Sequence, residues 1–402
     1  MSIRNVLRRI PLFYALNRGL KAKKTVRAYH ATVRHYQGRP EPLPFKQMLI
    51  GRLGQRAARL EAEKGPPHIF FLGTDEAQDR SGLIQALEAY CTVTCFTRKD
   101  GSYGQNHPGP RSIRRQSNTE RLLEMVAELA ANSRPPDLIL AQTWADFIDP
   151  QALADIRTRY GTVIVNIAMD DRHQYWGQPI DGVWGGTHGL IPHLDLALTA
   201  APECADWYRK EGCPALFFPE ASDPNLFYPD SEREKQYDVC FVGARYGIRE
   251  ALVLALRRAG IQVQAHGTGW EAGHLETARV PALFAQSKIV LGLGTIGHCE
   301  DFYALKLRDF DGPMSGSLYM THDNPDLHRL YKVGSEIVTY RTIDDCVRLA
   351  RHYLANDAER EAIATRGRQR AASDHTWERR VAMLLSVLRD PAKANAEAFT
   401  VG

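Results

Sequence analysis

The run DVCFVGARYGIRE, residues 238–250, closes an apolar stretch with Gly243 and then sets Arg245 and Arg249 at the opening of a helical pattern. Backbone N–H groups at a helix start, joined by guanidinium groups, form a receptor for a diphosphate. Ordinary solvated helix charges would show the same residues, and on this run alone that plainer reading is favoured. A second run, ALKLRDFDGPMSGSLYMTHDNPDL, places Lys306 and Arg308 just before Asp311 and a small-residue turn into a strand. Cations for phosphates and a carboxylate for ribose hydroxyls suit a nucleoside diphosphate, with a surface ion cluster as the alternative.

A third group lies in NIAMDDRH, where Asp170, Asp171 and His173 follow an apolar strand pattern. Carboxylates or an imidazole at a strand end can deprotonate a hydroxyl or support an oxocarbenium-like transition state. A solvated turn is the competing reading, and the adjacent pair of acids after a buried run favours function. Gly73, Thr74, Asp75 and Gln78, in GTDEAQDRSG, form the loop after another strand pattern and are the expected acceptor edge. His188 and His193 either line the cleft or are structural, the latter being the commoner role of isolated histidines. No Asp-x-Asp pair follows a strand in a metal-binding form, so no metal is expected, and TIDDC at 342–346 reads as a helix N-terminus.

These residues need scaffolding, and the sequence supplies an alternation of short apolar strands and amphipathic helices from about residue 66. PHIFFLGT, CTVTCFTR, DLILAQ, GTVIVNIAMDD, HLDLALTA and ALFFPEA read as a first set of strands. SGLIQALEAY reads as a helix opened by Ser81, and TERLLEMVAELAANS as another. The Pro-rich, charged SDPNLFYPDSEREKQ reads as a linker. After it YDVCFVGA, IQVQAHGT, KIVLGLG, GSLYMTH and EIVTY repeat the alternation, with a short helix expected around Tyr303 to Phe310. Two parallel α/β sheets in series imply an interdomain cleft, where open parallel sheets place their ligands.

KIVLGLGTIG, residues 288–297, also contains G-x-G-x-x-G at Gly292, Gly294 and Gly297. The helix after it begins late and is short and basic, so a dinucleotide site is disfavoured. The glycines must then be explained another way.

Composition narrows the class further. The 402 residues suit two domains, and 44% apolar with 24% charged residues is ordinary for a soluble chain. No apolar run approaches a membrane span and the start lacks a signal-peptide core, so a cytoplasmic location is expected. Seven scattered cysteines read as reduced core filler. Residues 1–40 carry Arg4, Arg8, Arg9, Arg18, Lys21, Lys23, Lys24, Arg27, Arg34 and Arg39 without one acid. Ile3, Val6, Leu7, Ile10, Leu12, Phe13, Tyr14 and Leu16 are interleaved with them. Such a mix either lies on anionic lipid, peripheral at the inner membrane face, or is a solvated basic arm, with a mitochondrial transit peptide as a third, lesser reading and Pro11 expected to interrupt any single long helix. No nucleic-acid reading module accompanies it, so nucleic acid is not an expected partner.

Taken in order, DVCFVGARYGIRE, VQAHGTGW, FAQSKIVLGLG, LRDFDGPMSGSLYMTHDNPDLHRLYKVGSEIVTYRTIDDCVRLARHYLANDAERE and HTWERRV resemble the CgeB-like (spore maturation protein-like) glycosyltransferases of the GT-B superfamily. They cover most of residues 236–385. The N-terminal half resembles the group less closely, through FFPEASDPNLFYP and NIAMDD. The resemblance implies an α/β GT-B fold of two Rossmann-like parallel-sheet domains facing a cleft, behind a basic N-terminal helical arm.

The expected division is 1–40 for the arm, 41–225 for the acceptor-side domain, 226–385 for the nucleotide-sugar domain and 386–402 for a tail. Gly243, Arg245, Arg249, Gly267, Lys306, Arg308 and Asp311 would hold the nucleotide-sugar. Trp270, in HGTGW, either covers the nucleobase or packs in the core, with the core favoured. The family's R-x-F-E turn usually has Glu where Asp311 stands and a small apolar residue in place of Gly312, which alters the reach to a ribose. The activity implied is sugar transfer to the hydroxyl of a glycan, lipid-linked or protein acceptor, retaining and metal-independent, with the nucleotide-sugar as substrate and no cofactor. A nucleotide-sugar epimerase and a non-catalytic nucleotide-sugar binder are the alternatives.

Overall fold

The computed structural model describes residues 11–60, 65–230 and 234–394, with backbone alone over 11–17. The chain forms two compact units, one of residues 39–226 and 373–402, the other of 1–38 and 227–372.

In the first unit, β1 (His68–Leu72), β2 (Thr92–Cys95), β3 (Leu138–Ala141) and β4 (Val163–Ala168) are followed by a small hairpin of β5 (Pro179–Ile180) and β6 (Val183–Trp184). Then come β7 (Leu196–Thr199) and β8 (Ala215–Phe217). The sheet order is β2-β1-β3-β4-β7-β8, parallel throughout. Unbroken apolar runs such as HIFFL, LILA and VIVNIA are buried at every position, because helices cover both faces of a parallel sheet.

The second unit holds β9 (Tyr237–Val242), β10 (Val263–His266), β11 (Ser287–Leu291), β12 (Leu318–His322) and β13 (Val338–Tyr340), ordered β10-β9-β11-β12-β13 and again parallel. Its core gathers Val239, Phe241, Leu252, Leu256, Ile289 and Met320.

The chain ends are distributed differently from expectation. The helix Trp377–Arg389 groups with the first unit, not the second. Trp377 N donates to Ser222 O at 3.0 Å, and Arg389 Nε to Leu60 O at 2.7 Å. Over its described residues the basic arm is helical, Pro11–Gln37, and grouped with the second unit. Pro11 is the first described residue of this helix, so the interruption expected at Pro11 falls at the edge of the described residues. Ala22, Val26 and Tyr29 pack on Ile296, Cys299, Phe302 and Ala304, with the Tyr29 and Phe302 rings 4.8 Å apart. The arm's residues before Pro11 lie outside the described residues, as do the side chains of Leu12, Phe13, Tyr14 and Leu16.

Two smaller expectations fail. The helix read from Ser81 runs Leu83–Glu88 with Gly82 at its cap, whose N–H donates to Gln85 Oε1. The helix read around Tyr303 to Phe310 runs Arg308–Met314, so Gly312 and Pro313 belong to it and the turn begins at Ser315. All seven cysteines are free, and all but Cys95 are buried. Among the described residues no helix is long and apolar enough to cross a membrane.

Candidate functional site

Each parallel sheet has a point where successive connections depart in opposite directions, and the loops there diverge to leave a crevice at the carboxyl strand ends. In the second unit that point lies between β9 and β11. Arg308, the first residue of its helix, spans it, donating to Val242 O at 2.8 Å and to Leu293 O at 3.3 Å. Arg249, the first residue of the helix Arg249–Arg258, donates to Ala244 O at 3.1 Å. Their guanidinium carbons stand 5.3 and 5.8 Å from the Phe241 ring centre, Arg308 and Arg249 respectively. A Cβ on Gly243 would lie 3.2 Å from Arg308 Nη1 and 3.5 Å from Arg249 Nη1, so the glycine sits where the two cations converge.

Among the described residues neither arginine meets a carboxylate, and the buried Nε–H of each has no partner. Burial first, and the Arg308 charge second, push the Arg249 guanidinium down to about 10. Two like charges held together with donors unused are costly unless an anion joins them. Such an arrangement fits a diphosphate.

The other expected donor residues divide. Arg245 is engaged by Glu250 at 2.6 Å and Glu271 at 3.3 Å, so its charge is already matched. Trp270 is 5% exposed and donates Nε1–H to Gly243 O at 2.8 Å, in the core role. Gly267, at φ +130°, is required because a Cβ would lie 2.5 Å from Gly243 O. It packs one loop against another. Lys306 donates its backbone N–H to Asp309 Oδ2 at 2.7 Å. Asp311 is buried one turn after Arg308.

Sequence reasoning missed Asp309, a buried carboxyl that burial raises and that accepts from Tyr319 OH at 2.5 Å. With the helix start set too early, nothing in RDFD told which acid faces inward. Two of the three fingerprint glycines, Gly292 and Gly294, are likewise structural, while a Cβ on Gly297 would meet nothing within 4 Å. A Cβ on Gly292 would fall 2.1 Å from Tyr319 OH, and one on Gly294 would fall 2.5 Å from Ala304 O. Close packing within the protein, not approach of a ligand, excludes side chains there.

In the first unit the corresponding point lies between β1 and β3. Here a neutral side chain spans it: Gln105, fully buried, donates Nε2–H to Leu72 O and Gly73 O at 3.0 Å and to Gln142 O at 3.3 Å. Beside it a cavity of about 420 Å³ opens among the loops after β1, β2, β3 and β4. Thr74, Asp75 and Gln78 line it, as does Asp170. Asn106, Trp144, Asp146, Phe147 and Gln174 complete the wall, none of them singled out in the sequence because they lie far apart in it.

Gly73 is not part of that wall; a Cβ there would fall 2.2 Å from Tyr103 OH. The acidic pair splits. Asp171 is 1% exposed and accepts from Thr187 Oγ1 at 2.6 Å and Tyr208 OH at 3.0 Å, while burial raises its carboxyl to about 6. It anchors the loop that presents Asp170. His173 is exposed and does not line the cavity. His188 stacks on Trp176 at 4.3 Å, a structural contact. Among the described residues no group of three or more His, Cys, Asp or Glu could hold a metal ion.

Residues 248–386 match a family model described as "Glycosyl transferase-like". No curated protein matches the sequence. Among solved structures, a sucrose-phosphate synthase from Thermosynechococcus elongatus is similar over 85% of this chain and 93% of its own, at 12% identity and a TM-score of 0.56. The HepE protein of Anabaena, in complex with UDP and glucose, is similar over 80% of this chain and 99% of its own, at 13% identity and a TM-score of 0.54. AviGT4, a glycosyltransferase involved in avilamycin A biosynthesis, is similar over 82% of this chain and 99% of its own, at 16% identity and a TM-score of 0.53. At such identities the likeness speaks for the fold, which is GT-B, with two Rossmann-like units.

Proposed function

We propose that the chain transfers a sugar from a nucleotide-sugar to an acceptor hydroxyl, with the donor held by the unit of β9–β13 and the acceptor by the unit of β1–β8. One observation carries this: the guanidinium groups of Arg249 and Arg308 meet at Gly243 with no carboxylate to match them among the described residues. The acceptor oxygen forms a bond to the anomeric carbon on the face from which the diphosphate departs, as the bond to the diphosphate breaks. The leaving nucleoside diphosphate takes the electron pair, and the arginines stabilise its charge. Asp170 takes the acceptor proton. Asp311 would accept ribose hydroxyls, and retention of configuration and independence of metal belong to the same proposal. HepE is described with UDP and glucose bound, which supports a uridine nucleotide as the first donor to try.

The acceptor belongs, in this reading, to a glycan at an anionic membrane surface. The helix Pro11–Gln37 exposes Lys21, Lys23, Lys24, Arg27 and Arg34, none with a carboxylate partner among the described residues. Juxtaposed cations of this kind attract acidic lipid. A thermal-shift panel of nucleoside diphosphates and nucleotide-sugars tests the donor, since a ligand at about 100 times its Kd adds about 2.7 kcal/mol of stability. Product analysis then distinguishes transfer from epimerisation, which needs no acceptor. EDTA leaves the transfer rate unchanged if the arginines suffice.

A further inference from the structure

The cavity beside Gln105 has a composition that narrows the acceptor, an inference that rests on the transferase reading. Its wall holds three carboxylates, Asp75, Asp146 and Asp170, and no lysine or arginine. Asp146 is matched from behind by Arg111 at 3.0 Å and Arg114 at 4.0 Å. Asp75 accepts the Gln78 backbone N–H at 3.1 Å and has no cationic partner among the described residues. Arg114 covers one face of Phe147, its guanidinium carbon 4.0 Å from the ring centre. Trp144 keeps an indole N–H without a partner.

An aromatic ring beside amides and carboxylates is the chemistry of a pyranose site. The apolar face of the sugar lies on the ring and its hydroxyls donate to the acids. Charge then selects among sugars. A phosphate or uronate would be repelled by Asp75, which no cation offsets among the described residues, whereas an ammonium gains from the same carboxylate. We propose that the acceptor is an amine-bearing sugar, its ring on Trp144 and its ammonium paired with Asp75, while Asp170 serves the attacking hydroxyl.

Saturation-transfer NMR on the full chain, with glucosamine, glucose, N-acetylglucosamine and glucuronate as probes, tests this. Glucosamine should bind about fivefold more tightly than glucose, the effect of one partly exposed charge pair, and glucuronate should give no signal. The preference should shrink as salt is raised. Asp75→Asn should bring glucosamine down to the level of glucose, and Trp144→Ala should abolish binding of the three sugars that bind the parent, with thermal melting confirming that both variants fold. Glucuronate binding as well as glucosamine, an unchanged preference in Asp75→Asn, or no binding by any probe would overturn the inference. A UDP thermal shift measured on the same samples separates the two readings: if the shift is present and the sugars fail, only the acceptor is wrong, and if the shift is absent, the transferase reading falls.

Discussion

Arg249 and Arg308 begin two different helices, yet their guanidinium groups lie over the same Phe241 ring and within 3.5 Å of the position that a Cβ on Gly243 would take. At the equivalent point of the first sheet the spanning side chain is the amide of Gln105. One fold, used twice, thus offers a cationic crevice in one unit and an uncharged brace in the other. That difference is the ground on which the proposal puts the phosphates in the second unit.

If Asp170 takes the acceptor proton, its replacement should separate binding from chemistry. Asp170→Asn should lower kcat by about 10²–10⁴-fold, the usual range for a lost general base. UDP affinity should stay unchanged, because Asp170 belongs to the other unit. Steady-state kinetics beside calorimetry checks both.

The glycines of the false dinucleotide fingerprint make a stability prediction. Gly292→Ala would push a methyl into Tyr319 OH and Thr321 Oγ1, the latter 2.4 Å from the new Cβ. Overpacking of this kind costs about 1–3 kcal/mol. A denaturant melt should show that loss, and a variant as stable as the parent would contradict the packing account.

Buried acids predict a pH trend. Asp79 is 1% exposed, accepts from Thr74 N and Tyr103 OH, and is raised to about 6, chiefly by burial. Because the folded value exceeds the unfolded one, the folded chain holds the proton longer. The stability this group contributes is greatest below pH 4 and declines as pH rises towards 6. Asp79→Asn, which does not titrate, should therefore gain on the parent by up to about 3 kcal/mol between pH 4 and 7, read from urea midpoints.

For the basic helix, replacing Lys23, Lys24 and Arg27 with Glu should sharply reduce co-sedimentation with vesicles containing phosphatidylserine, since each cation near such a surface contributes about 1 kcal/mol. Vesicles of phosphatidylcholine alone should capture neither protein. Equal capture of parent and variant by the acidic vesicles would remove the helix from the account.

Much of the architecture was legible because buried parallel strands are written as unbroken apolar runs: HIFFL, LILA and VIVNIA each became a strand. Arg249 and Arg308 were legible as cations near strand ends. Their distinction from Arg245 was not, since only folding brings Glu250 and Glu271 to Arg245 and leaves the other two without acids among the described residues. Asp170 and Asp171 are adjacent in sequence, and one step of backbone sends one to a cavity and the other into the interior. Trp144, Asn106 and Gln174 join that cavity from three separate loops, which no local pattern records. The return of the helix Trp377–Arg389 to the first unit hangs on long-range bonds to Ser222, Pro219 and Leu60, equally invisible in local sequence.

The most direct test is calorimetric titration of UDP into the parent, Arg308→Ala and Arg249→Ala. Hydrogen bonds to a charged group contribute about 1.5–3 kcal/mol each, so either replacement should weaken UDP by about 10–100-fold while the fold persists. UDP binding to both folded variants as tightly as to the parent would contradict the paired-arginine site.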